Sequence, residues 1–278
     1  MRANIELNRS REFGDIISDT FAFVKQNFKS LLKPYFVIGG LLLVTDILIS
    51  AWVNTNRGDA GLNTLAGLGE LFFDFINHIV LTLVTLSYLA VYRQKENQPA
   101  DTIEVWGYFK YYFFRVLFTQ VLLVIFAAAG FFFCFFPGVY LSVVFSLVTP
   151  VMVIENGSFR YSLERAFKII KENWWLTFGA IILIVLVAAM IMLIIMLPTM
   201  IIYGGTQWLT GQKLDTFAGI LQSIMINLCQ LLWIIPVITI TLVYYSLTEE
   251  KEGNSLIDRI NSFGRKTPGS NQPSSEQY

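Results

Sequence analysis

Six long apolar segments divide the chain, and eighteen of its twenty lysines and arginines fall on one side of them. The segments are Pro34–Val53, Leu71–Tyr92, Tyr111–Phe136, Gly138–Ile154, Trp174–Tyr203 and Gly219–Leu247. At about 1.5 Å rise per residue each can cross a hydrocarbon core of about 30 Å, the fourth being the shortest. Assigning both ends and the even-numbered gaps to one side collects Arg2, Arg9, Arg11, Lys25, Lys29, Lys33, Arg93, Lys95, Lys110, Arg115, Arg160, Arg165, Lys168, Lys171, Lys251, Arg259, Arg265 and Lys266. Only Arg57 and Lys213 fall opposite. Short loops keep lysine and arginine inside, so both termini are expected in the cytoplasm. The fold class follows: an all-α polytopic membrane protein whose six transmembrane helices form three helical hairpins.

Composition supports this class. Hydrophobic residues make up 55% of the chain and charged ones 14%, against about 25% charged in an ordinary soluble domain. The net charge of zero hides a basic cytoplasmic face, which suits anionic lipid headgroups and not nucleic acid. Met1–Lys33 lacks the apolar core and small-residue cleavage site of a signal peptide, so the first span is expected to direct insertion. Cys134 and Cys229 lie inside apolar runs, where cysteine acts as a small hydrophobe.

A weak internal repeat organises residues 1–248, read as a single membrane domain. Phe13, Ile17, Phe21, Val24 and Phe28 recur at the same spacings as Phe159, Leu163, Phe167, Ile170 and Trp174, displaced by 146 positions. Spacings of three and four put each set on one helical face. A shorter copy, Trp106, Phe109, Lys110 and Phe113, matches Phe21, Val24, Lys25 and Phe28 at a displacement of 85. Helical periodicity alone generates part of these matches. Three units are nonetheless expected at 9–93, 100–155 and 157–248, each an amphipathic cytoplasmic surface helix followed by an outward and an inward span. Outer loops are expected near 54–70, at the turn dipeptide Pro137-Gly138 and near 204–218, with kinks at Pro198 and Pro236. Residues 249–278 form a cytoplasmic tail with a short amphipathic helix (Leu256, Ile257, Ile260, Phe263) and disorder expected from about 267.

The sequence offers little for chemistry. A single histidine, no HExxH and no GxSxG or phosphate-binding loop leave no catalytic residue, no cofactor site and no metal site to name. The candidates are ionisable groups at membrane depth. Asp46 lies in the outer part of the first span, with Asp74 and His78 one helical turn apart in the outer part of the second. Charged groups there are costly and mark ion or proton pathways. Alternatively, the second span begins near Phe75 and leaves Asp74 and His78 among wet headgroups. Gln120, Asn227 and Gln230 are expected to hydrogen-bond between helices, and Ala127–Gly130 to allow close helix approach. Glu155 reads as a solvated helix end. Lys25, Lys110 and Lys171 follow equivalent apolar anchors and are candidate lipid-headgroup contacts.

From Pro137 to Trp175 a further pattern emerges: Pro137-Gly-Val-Tyr-Leu141, an apolar span ending Pro150-Val-Met-Val-Ile-Glu155, then Tyr161-Ser-Leu-Glu-Arg-Ala-Phe-Lys168 and Lys171-Glu-Asn-Trp-Trp175. With Phe13-Gly-Asp-Ile-Ile17, Lys25-Gln-Asn-Phe28 and Tyr244-Tyr-Ser246, it resembles the bacterial membrane-domain family of glycerophosphoryl diester phosphodiesterase and YciC-like integral membrane proteins. The resemblance implies six spans in a bacterial inner (plasma) membrane. The phosphodiesterase domain is absent, so its catalysis does not carry over. The family's basic segment after the last span is acidic here, at Leu247-Thr-Glu-Glu250. The leading expectation is a non-catalytic membrane protein organising anionic lipids or membrane-protein partners through its basic helices. The alternative is a small-solute or ion transporter or channel using the polar groups of the first hairpin. An intramembrane enzyme acting on lipid has the least support, since no nucleophile–base pair is evident.

Overall fold

The structure, a computed structural model, describes the backbone of residues 5–55, 60–133, 135–210 and 216–263, and the side chains of 5–53, 64–133, 135–201 and 220–253. Among the described residues every regular element is helical: α1 Phe13–Thr55, α2 Ala60–Gln94, α3 Thr102–Phe133, α4 Phe135–Ile154, α5 Phe159–Ile170, α6 Trp174–Thr210, α7 Thr216–Cys229 and α8 Ile234–Phe263, with a 3₁₀ turn at Gln230–Trp233 joining the last two. Six stretches are long and apolar enough to cross a membrane: α1, α2, α3, α4, α6, and the composite α7–α8. The chain is a multi-pass membrane protein.

The three hairpins share one radial arrangement. In the second span of each hairpin (α2, α4 and α7–α8), 83%, 56% and 61% of the most apolar stretch is buried inside the protein, against 28%, 17% and 17% in the first spans α1, α3 and α6. The returning helices therefore make the core and the outgoing ones coat it, presenting Leu41, Phe118, Phe132 and Leu193 to the bilayer. At the second hairpin Gly130 and Gly138 meet closely; a Cβ on Gly138 would sit 2.6 Å from the Phe131 ring.

Several expected boundaries move. The surface helices anticipated before the first and second hairpins are not separate elements: α1 runs through Pro34 and α3 through Gly107 unbroken into their spans, the apolar periodicity staying in phase. Only α5 stands alone. Its N-cap Ser158 accepts a hydrogen bond from the Tyr161 amide, and Lys171–Asn173 turn the chain into α6. Pro137-Gly138 is not the second turn; the helix already restarts at Phe135 and holds both residues in its first turn. Proline is tolerated there because first-turn amides have no helical acceptor to lose. The outer connections are also shorter than expected, since α1 reaches Thr55, α2 starts at Ala60, α6 reaches Thr210 and α7 starts at Thr216. Pro198 lies inside a continuous α6. The last span does break, just before Pro236, whose ring cannot accommodate an α-helical carbonyl four residues back. At the C-terminus α8 continues to Phe263, so the anticipated tail helix is its extension, and the disorder expected from about 267 lies outside the described residues.

The apolar stripe of α1 faces outward. Phe13, Phe21 and Phe28 are exposed, while the neighbouring face, Ile16, Thr20, Phe23, Asn27 and Leu31, is buried. In and after α5 the residues 146 positions later, Ser162, Ala166, Ile169 and Thr177, are buried as well.

The segment before α1 packs against α2 and α8 at one end of the bundle. Leu7 is fully buried, and the Tyr92 hydroxyl donates to the Ile5 carbonyl at 3.2 Å. The Arg11 amide donates to Ser246 Oγ at 2.8 Å. The Arg11 guanidinium, itself buried, donates to the carbonyls of Leu7, Arg9 and Glu6 and pairs with Asp19 at 2.8 Å. A second cluster straps α5 to the bundle: Arg165 bridges Glu155, just past the end of α4, to Glu252 in α8. Glu155 also accepts from the hydroxyls of Tyr161 and Tyr244. Glu155 is thus not a solvated helix end; it is the hub of the strap.

Candidate ion site

The first hairpin and the break in the last span enclose a buried polar cluster. Gly39 admits α2 close to α1: a Cβ there would lie 3.0 Å from Val80 Cγ1 and 3.3 Å from the Tyr35 ring. That approach lets Tyr35 reach across the hairpin, where its hydroxyl donates to Asn77 Oδ1 at 2.8 Å. Asn77 Nδ2 donates to Gln230 Oε1 at 2.8 Å, and Gln230 Nε2 donates to Asp74 Oδ1. Gln230 is the first residue of the 3₁₀ turn, so the break places its amide between Asn77 and Asp74.

Asp46 completes the cluster from α1. Its carboxylate is fully buried and faces Asp74, Asn77 and Gln230, yet neither oxygen makes a hydrogen bond of normal geometry. Asp46 lies about 20 Å along the helix axis from Lys33, well inside a hydrocarbon core of about 30 Å. Among the described residues no lysine or arginine pairs with Asp46 or Asp74. The arrangement is two carboxylates without a counter-charge among the described residues, Asp74 held by a chain of two amides and a phenol and Asp46 facing it without a hydrogen bond of normal geometry.

Of the three residues singled out in the sequence, Asp46 and Asp74 converge and His78 does not join them by a hydrogen bond. The Asp74 turn lies within α2, which begins at Ala60. The His78 imidazole is exposed and stands edge-on to Trp233, with ring centroids 5.8 Å apart and planes at 88°. It shares with Asp74, Leu81, Gln230 and Trp233 the wall of a cavity of about 170 Å³. Gln230 is an interhelical partner as expected, and so is Gln120, which donates to Thr149 at 3.1 Å. Asn227 instead donates to Ser223 O in its own helix. Tyr35 is the member not found from the sequence, although a tyrosine buried in a span needs a partner for its hydroxyl.

Lys25, Lys110 and Lys171 are exposed, and none has a carboxylate partner among the described residues. Lys110 lies over the Trp106 ring, 5.5 Å from its centroid. No protein-family model, no curated protein and no solved structure matches the chain.

Proposed function

We propose that this protein translocates a proton or small cation across a bacterial inner membrane, with both termini in the cytoplasm as the charge bias favours. The observation that carries this reading is the Asp46–Asp74 pair beside the break in the last span. Two carboxylates that face each other at membrane depth, with no basic partner among the described residues, favour a proton or a cation held between them. The oxygen-only donor set suits a hard cation. Interrupted spanning helices are where membrane carriers expose polar groups to ions. Gln230 gives the pair such a neighbour, carried by the 3₁₀ turn between α7 and α8.

Proteoliposomes under an imposed voltage, with internal pH and sodium followed by indicator dyes, test the reading. Wild type should carry protons or sodium, and Asp46→Asn and Asp74→Asn should each slow the flux by about tenfold, the loss of a charge-assisted contact. Flux equal in both variants and wild type would overturn it. A second role, retention of anionic lipid at the basic end, is favoured by the exposed ammonium groups of Lys25, Lys110 and Lys171, which have no carboxylate partner among the described residues.

A further inference from the structure

We infer that the protein binds an amphiphilic organic cation, its charged head beside Asp74 and its apolar body in the cleft between α2, α3, α4, α6 and α8. The cleft has a volume of about 330 Å³, at the lower end of the range that drug-sized ligands occupy. Its wall runs from Leu86 and Thr149 past Gln120, Ala127 and Phe145 to His78 and Trp233. Val124, also on the wall, is 52% exposed on the side of the molecule, so the mouth of the cleft is lateral.

Three features select the ligand class. First, the polar groups in the cleft are mostly spent within the protein, the buried Thr82 Oγ1 being left without a partner among the described residues. Ser142 Oγ donates to Gly138 O, Ser146 Oγ to Val143 O, and Gln120 to Thr149. The wall therefore offers hydrocarbon to a ligand, and a sugar or peptide would lose more hydrogen bonds than it gained. Second, His78 and Trp233 line both this cleft and the smaller cavity that holds Asp74 and Gln230. The two spaces adjoin at that aromatic pair, and the inferred ligand reaches past it with its head on the Asp74 side. Third, the only charged side chain lining either space, among the described residues, is the Asp74 carboxylate, with Asp46 behind it. A cationic head gains that charge and the face of Trp233, while an anionic head would meet the carboxylates.

This inference rests on the proposed ion site for its charge selectivity. In that scheme the organic cation and the proton compete for one carboxylate pair. The ligand would enter from the bilayer, where amphiphilic cations concentrate.

The test uses the full chain in phosphatidylcholine nanodiscs, with radiolabelled tetraphenylphosphonium as probe and empty nanodiscs subtracted. Saturable binding is expected, weakening as pH falls, with tetraphenylborate, of the same shape and opposite charge, unable to compete. Asp74→Asn should weaken binding by about tenfold, the loss of one charged contact. Ala127→Phe, which fills the cleft without touching either carboxylate, should also abolish binding while leaving ion flux in proteoliposomes intact. Two variants on separate walls guard against a folding defect in either. Equal binding of tetraphenylborate, or binding that survives Ala127→Phe, overturns the inference. Absence of tetraphenylphosphonium binding with ion flux retained overturns it as well and leaves the ion site standing; loss of ion coupling in wild type removes both.

Discussion

Tyr35 donates its hydroxyl to Asn77 across the first hairpin, and through Asn77 it supports the amide of Gln230 that holds Asp74. Tyr35→Phe leaves Asn77 Oδ1 buried without its donor, a loss of about 1–3 kcal/mol. Thermal unfolding in mild detergent should show a lower midpoint for Tyr35→Phe, with ion flux reduced and not abolished. An unchanged midpoint would mean that the hydroxyl does not brace the site.

The strap between α4, α5 and α8 should respond to acid. Burial pushes the Glu155 carboxyl up, but hydrogen bonds from Tyr161 and Tyr244 and the guanidinium of Arg165 outweigh it and hold the group below the ordinary glutamate range. A carboxyl whose folded pKa is depressed stabilises the fold fully above its unfolded value, about 4.3, and loses that contribution as pH falls toward the folded one. The thermal unfolding midpoint in mild detergent should fall over that acidic window. Glu155→Gln should lower the midpoint at neutral pH and weaken its acid dependence. If the variant keeps the wild-type pH profile, the strap does not depend on this carboxylate.

The spans were legible in the sequence because each carries its own hydropathy and the cations sort by side. What was not legible depends on partners far along the chain. Gln230 reads as a generic interhelical group, since nothing local reveals that its amide meets Asp74, 156 residues earlier. Likewise the acidic stretch after Leu247 looks like a departure from a basic pattern. In the fold Glu250 accepts from Asn173 and Glu252 pairs with Arg165, so the acidity answers the basic α5. Pro137-Gly138 misleads for a local reason: the same dipeptide suits a turn and the first turn of a helix, and only the packing of Gly130 on Gly138 decides. Asp46 and Asp74 were legible as costly groups, but their convergence needed the hairpin register.

Lys25, Lys110 and Lys171 should hold anionic lipid without supporting the fold. Near an anionic surface each is worth about 1 kcal/mol. The triple Lys→Gln variant should retain less anionic lipid by native mass spectrometry while its unfolding midpoint stays at the wild-type value. The difference should fade with salt, because screening acts within about 10 Å at 0.1 M. Equal lipid retention across a salt series would leave the lysines as topology determinants alone.

The central claim is that Asp46 and Asp74 act as one ion-binding unit. Infrared difference spectroscopy between acidic and alkaline samples in nanodiscs reads it directly, by the stretching band of a protonated carboxyl group shielded from water. Wild type should show one such band that shifts in heavy water. Asp46→Asn and Asp74→Asn should each remove or displace it, because the two carboxylates share what is bound. A band that persists unchanged in both variants, or no shielded carboxyl band in wild type together with no sodium-sensitive carboxylate signal, would contradict the account.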